Sequence, residues 1–230
     1  MIQVAENIWI IEGSIVSFYG FPYPTRCVIV RLPSGKLWIW SPIALTGEVK
    51  AKVDALGEPA HLVSPNKIHH LFLQDWKTAY PDAKLWGPKS TIAKRKDLVF
   101  EAPLETEVPA NWESQFDMVR FAGSPVLDEV VFFHRPSGTA ILADLSEHFS
   151  DSFLARYWKP WQHRIARLWG IVEGKGYAPL EWRLSFFNRR KARDAKARIL
   201  AWQPERVIMA HGEWLRHNGT AYLEKALEWV

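Results

Sequence analysis

Short runs of β-branched and aromatic residues fill the first third of the chain, after which strand and helix patterns alternate. That order is what most limits the folds open to this sequence. Residues 8–11, 15–18, 26–32 and 36–40 read as strands, punctuated by Gly13, by Gly20 with Pro22 and Pro24, and by the hairpin signal Pro33-Ser34-Gly35. Residues 47–56 switch to helical spacing, with Val49, Val53 and Leu56 on one face and Thr46 as N-cap. Strands at 61–63 and 84–86 then alternate with helices predicted over 70–80 and 91–96. Three further strand runs, 118–121, 129–134 and 139–142, include a second hairpin signal, Pro136-Ser137-Gly138. Residues 150–202 are helical in tone, broken near Pro160 and over 170–179. A strand at 206–209 leads to a closing helix over 222–230.

A chain of 230 residues that is 48% hydrophobic and 23% charged buries a substantial core and is not disordered as a whole. One domain over 1–230 is expected, with 149–202 as a helical insertion or lid. The formal net charge of +4 suits an anionic small molecule and does not argue for nucleic acid. The lone cysteine, Cys27, sits in the apolar run Cys27-Val28-Ile29-Val30. It reads as a buried, inert thiol, and a disulfide framework or cysteine zinc cluster is excluded. The first residues lack the pattern of a signal peptide, and no apolar run reaches the roughly 18 residues of a membrane span. A cytoplasmic protein is the expectation.

Chemistry in layered α/β folds collects just past the strand ends. Ser64-Pro65-Asn66-Lys67-Ile68-His69-His70 follows one strand, Ala143-Asp144 another, and Ala210-His211-Gly212 the last. A histidine beside a strand is by itself more often a hydrogen-bonding residue than a ligand, and an Asp there more often a turn residue. Their recurrence at successive strand ends is what points to a metal site, since imidazole and carboxylate are ligands for zinc, iron or manganese.

The order of these loops resembles the metallo-β-lactamase superfamily, which implies a four-layer αββα sandwich. That family has a His-x-His-x-Asp-His loop, a histidine before a hairpin, an aspartate after it, and a final histidine after a late strand. Laid over this chain, the loop positions fall on Pro65, Lys67, His69 and His70, the pre-hairpin histidine on Pro125, the aspartate on Asp144 and the last histidine on His211. The resemblance thus implies that one metal's ligand set is lost at Pro65, Lys67 and Pro125. The other set reads His69, His70, Asp144 and His211, which implies one divalent metal (zinc, or iron or manganese), with Lys67 lending positive charge where the missing ion would lie. The family's aspartate after an early strand is replaced by Ser41-Pro42. The phrases His69-His70-Leu71-Phe72, 129–137 and Ala143-Asp144-Leu145 are also similar to a bacterial family of unassigned function, DUF4336.

Other residues compete for roles. Glu129 opens a strand near the expected site as a further metal ligand, Glu213 is placed to orient His211, and His148 to reach the site from its loop. His134 reads as structural. Between 149 and 202, aromatic residues interleave with Arg156, Arg164, Arg167, Arg183, Arg189, Arg190 and Lys191. They form either a helical layer's core and surface or an aromatic pocket whose arginines take an anionic substrate. The reading reached is a hydrolase-like protein with a single metal held by His70, Asp144 and His211 with help from His69. Asp144 and Lys67 are its catalytic candidates. A metal-free, non-catalytic binding module on the same fold is the alternative.

Overall fold

Successive side chains of a strand face opposite sides of its sheet, and in this protein both sides are buried. The computed structural model describes residues 1–230. One sheet has six strands in chain order: β1 (Ile2–Ala5), β2 (Ile8–Phe18), β3 (Phe21–Arg31), β4 (Leu37–Trp40), β5 (Pro59–Val63) and β6 (Lys84–Trp86). The first four are antiparallel and the last three parallel. The second sheet has four strands, ordered β10 (Arg206–Met209), β9 (Thr139–Leu142), β8 (Glu129–His134) and β7 (Phe116–Phe121), with β9 and β10 parallel.

Ile8, Ile10, Val28, Val30, Trp38, Trp40, Val63 and Trp86 pack against Phe116, Met118, Val130, Phe132, Ile141 and Ile208 of the facing sheet. Truncating a large aromatic in such a core costs roughly 3–5 kcal/mol. The intervening residues Trp9, Ile11, Ile29, Ile39 and Leu62 turn outward, under Val53 of α1 (Gly47–Asp54) and Leu73 and Trp76 of α2 (Leu73–Ala79). Cys27 lies among them as a free, buried thiol, as its apolar neighbours suggest. The second sheet's outer face, including Val131, Leu142 and Met209, is covered by α7 (Arg189–Ala201) and α8 (Gly219–Ala226) through Ala195, Ile199 and Leu223. The layers are therefore helix, sheet, sheet, helix. Between them in the chain lie α3 (Lys89–Lys94), α4 (Asp151–Tyr157), α5 (Pro160–Trp169) and α6 (Leu180–Leu184). No helix is long and apolar enough to cross a membrane.

The expected elements recur with shifted bounds. Residues 15–18 are not a separate strand: β2 continues through Gly13 with a register shift between Glu12 and Ile15. Pro22 and Pro24 lie inside β3 rather than before it. They are tolerated because β4 pairs only with Val28–Arg31, which leaves the earlier part of β3 an edge that needs no N–H donors on that side. Helix α2 begins after His70, because the chain turns at 68–70, where the His70 amide donates to the Ile68 carbonyl. The closing helix starts earlier than expected, at Gly219, and ends at Ala226. Thr46 and Asn188 do cap their helices, accepting from the Val49 and Arg190 amides.

Two histidines are buried in neutral form. His61 Nδ1 accepts from Trp86 Nε1 at 3.0 Å, and His134 Nδ1 lies 2.7 Å from Ser137 Oγ. Burial lowers both to about 4. A depressed histidine stabilises the fold above its unfolded value near 6.5 and loses that contribution as pH falls through 4. The His61→Gln variant keeps an acceptor for Trp86 but does not titrate. Urea unfolding between pH 6.5 and 4 should show its stability falling less steeply than wild type, by up to about 1.4 kcal/mol per pH unit. Identical slopes would mean that His61 takes up its proton in the folded protein as readily as in the unfolded chain.

Candidate metal centre

Ser41 follows β4, Asn66 and His69 follow β5, Asp144 follows β9 and His211 follows β10. The parallel pairs β4–β5 and β9–β10 open at one edge of the sandwich, so these residues meet although they are distant in sequence. His69, Asp144 and His211 present ligand atoms that all lie within 4.8 Å of one another. His69 Nε2 is 3.3 Å from Asp144 Oδ2, and His211 Nε2 is 3.3 Å from Asp144 Oδ1.

The other ring nitrogens fix which atom faces inward. His211 Nδ1 lies 2.6 Å from the carbonyl oxygen of Pro24, so Nδ1 must donate and the lone pair of the neutral ring falls on Nε2. His69 Nδ1 is 2.8 Å from Ser41 Oγ, which holds the orientation of the ring while the hydroxyl can either donate or accept. Ser41 holds a left-handed backbone, φ 49°, an uncommon conformation for a serine and one that aims its hydroxyl. His69 Nε2 is buried with no hydrogen-bond partner despite facing Asp144. The His211 lone pair beside a carboxylate needs a positive charge between them, and His69 Nε2 faces the same carboxylate. A proton or a divalent cation meets that need, so the donor set fits a metal. For Asp144, burial acts to raise the carboxyl, but the two imidazoles outweigh it and hold the group well below the usual carboxylate range. For His69, burial acts to lower the ring, and Asp144 raises it overall.

Asn66, which the sequence reading passed over, completes the centre. Its Nδ2 donates to Asp144 Oδ2 at 2.7 Å and approaches Glu129 Oε2 at 3.4 Å, while its Oδ1 accepts from the Ile68 and His69 amides. That is an Asx turn, and Pro65-Asn66 after a strand was its only signal in sequence. Arg26 was missed too. It is buried in β3, donates to the Met209 and Gly212 carbonyls at 2.5 and 2.7 Å, and ties the His211 turn to the opposite sheet. Gly212 permits that turn: its φ is +85°, and a Cβ there would collide with the His148 carbonyl oxygen.

Several expected residues lie elsewhere. His70 is outside the cluster. Its carbonyl accepts from Arg95 Nη1, and burial with the nearby Lys94 and Arg95 charges lowers its ring. In the turn at 68–70, adjacent side chains diverge, so one histidine enters the centre and its neighbour leaves it. Glu129 is fully buried and accepts from the amides of Ala143, Asp144 and Leu145 at 2.7, 2.8 and 3.1 Å. It cradles the Asp144 loop and is not in the ligand cluster. Burial, then the charge of Asp144, push it up to about 7 against those amides. Lys67 lines the cavity but makes no ion pair with Asp144 or Glu129, whose partners are those given above. His148 Nδ1 bonds the Glu213 carbonyl, and the Glu213 carboxylate meets Ser150, so neither side chain supports the His211 ring.

The triad opens into a cavity of about 520 Å³, walled by Val16, Phe18, Phe21, Tyr23, Trp169 and Trp182. Asp144, Glu147 and Glu181 face it together with Lys67 and Lys94, and no arginine does. No arginine of 149–202 lines the cavity, and two of those the sequence named are engaged elsewhere: Arg183 bonds the Ala178 and Trp169 carbonyls, and Arg167 pairs with Asp151. The arginine-lined pocket is thus replaced by one whose acids outnumber its lysines. Tyr23 Oη donates to Glu147 Oε2 at 3.3 Å, and burial, with the Asp144 charge, raises Glu147 well above the usual carboxylate range.

Residues 5–154 match the family model described as "Domain of unknown function (DUF4336)". No curated protein matches the chain in sequence. Among solved structures, the fold is similar to the DIM-1 metallo-β-lactamase exposed to ceftazidime (TM-score 0.65, 16% identity, covering 99% of this chain and 94% of that one). It is similar also to a metallo-β-lactamase from Hirschia baltica (TM-score 0.62, 14% identity, 99% and 95% covered). A third is the metallo-β-lactamase FIM-1 from Pseudomonas aeruginosa in its mono-zinc form (TM-score 0.60, 11% identity, 99% and 92% covered).

Proposed function

The chain belongs to the DUF4336 family and has the metallo-β-lactamase fold, and from that premise we propose that it is a hydrolase-like protein with one divalent metal held by His69, Asp144 and His211. The observation that carries this reading is the buried, unpartnered His69 Nε2 facing a carboxylate whose other oxygen faces His211 Nε2. A single ion is favoured over two because Pro65, Lys67 and Pro125 stand where a second ligand set would be, and because the Asn66 amide already donates to Asp144. A divalent ion there supplies Lewis acidity and lowers the pKa of water. The chain's own residues supply the rest. Ser41 and the Pro24 carbonyl fix the imidazoles, Asn66 and Glu129 fix Asp144, and the aromatic wall excludes bulk water. Lys67 and Lys94 face the cavity, so the charge of a small anionic substrate is met by lysines rather than by the arginines of 149–202. Trp169, Pro179, Glu181 and Trp182 line the cavity, which supports reading that segment as its lid.

The test is metal content per chain after reconstitution with zinc, manganese or iron(II). The expected value is near one, vanishing in the His69→Ala, His211→Ala double variant. Two ions per chain would overturn the single-ion reading. No ion under any reconstitution would leave a metal-free binding module as the reading.

A further inference from the structure

A second recess, of about 510 Å³, lies beside the triad cavity and shares Lys67, Val126 and Leu127 with it as a common wall. Its character is the opposite of the first. Lys67, Arg120 and Lys191 line it against one carboxylate, Asp128. That carboxylate is already taken up, by Arg120 Nε at 2.7 Å and Ser90 Oγ at 2.6 Å, while Arg120 also holds Glu105 at 2.8 Å. Lys67 and Lys191 have no carboxylate within ion-pair distance. Gly123 also lines the recess, in a loop where its φ is +130° and a Cβ would collide with the Asn188 carbonyl oxygen. The amides of Gly123 and Ser124 donate to no group of the chain, although the neighbouring Val126 and Leu127 amides find Ser124 Oγ. Two unpaired ammonium groups beside a loop with spare N–H donors recognise an anion.

We propose that this recess is an anion-binding subsite, and that the substrate is an amphipathic acid. Its apolar body lies against the aromatic wall of the triad cavity, and its phosphate or carboxylate lies between Lys67 and Lys191. Lys67, on the wall common to both recesses, is the group at which the apolar and anionic halves of such a molecule would meet. The subsite deepens the hydrolase reading, but its own binding does not depend on the metal.

Phenylphosphonate is the probe, titrated by calorimetry into zinc-free and zinc-loaded protein. The zinc-free protein should bind it, more weakly as salt rises. Lys67→Met and Lys191→Met should each weaken binding about tenfold, Lys67→Arg and Lys191→Arg should restore it, and zinc content should be unchanged. Benzyl alcohol, which keeps the apolar body, should gain nothing from either lysine. Absence of phenylphosphonate binding, or binding indifferent to both lysines, overturns the subsite. So does binding seen only with zinc, which places the anion on the metal and leaves the hydrolase reading standing. A protein that takes up no zinc, yet binds the probe through the lysines, would overturn that reading and keep the subsite.

Discussion

The Glu129→Ala variant should lose about 4 kcal/mol or more of stability, near the upper end for a single substitution. The carboxylate is fully buried and is the acceptor for three consecutive backbone amides, Ala143 to Leu145. Alanine leaves all three N–H groups without an acceptor in a dry interior, at roughly 1–3 kcal/mol each. It also removes a neighbour of the Asn66 amide. Glu129→Gln distinguishes this account from simple loss of volume. Its carbonyl can replace the oxygen that serves Asp144, Leu145 and Asn66, while its amide nitrogen would face the Ala143 N–H as donor against donor. Chemical denaturation should therefore place the Glu129→Gln variant between wild type and the alanine variant. Equal losses for both would show that shape and not hydrogen bonding governs the site.

The largest effect on binding should come from Asp144→Ala. Zinc affinity should fall by well over roughly 100-fold, the range already seen when groups that merely support a ligand are removed. His70→Ala should change it by less than about threefold, since that ring is outside the cluster. Competition against a chromophoric chelator measures both. A large loss in the His70 variant would mean that the loop at 68–70 rearranges to bring that ring in, and would overturn the assignment of His69. Between them the two variants separate neighbouring histidines that the sequence alone treats alike.

Much of the sandwich was legible because strands buried on both faces leave long apolar runs, as in 26–32 and 37–40, and because Thr46 and Asn188 carry their cap signals locally. Strand ends followed by His69, Asp144 and His211 were legible for the same reason: each is a short-range pattern. What escaped was set by tertiary geometry. Choosing between His69 and His70 depends on the direction of a turn one residue long, which no periodicity reports. Glu129 looks like a ligand in sequence because the backbone amides that consume its oxygens come from residues 143–145. The arginines of 149–202 could be read from sequence as a helical layer's surface or as an anion site, and the bonds of Arg167 and Arg183 to carbonyls and a carboxylate of their own segment favour the first. Ser41, Asn66 and Arg26 were invisible as site residues because each acts through a partner on another strand or loop.

The tie from Arg26 to the Met209 and Gly212 carbonyls spans 183 and 186 residues of chain, and the bond from His211 to the Pro24 carbonyl spans 187. Contacts that close loops of this size are formed late, since their entropy must be met before they stabilise anything. The candidate metal site is therefore not an ornament on a finished scaffold but the seam where the two ends of the chain are sewn together. An ion that binds only the closed seam adds its binding free energy to the stability of both sheets at once. Any excursion that parts the two sheets at this edge disperses the ligands along with the fold, so metal release and global unfolding should share one barrier.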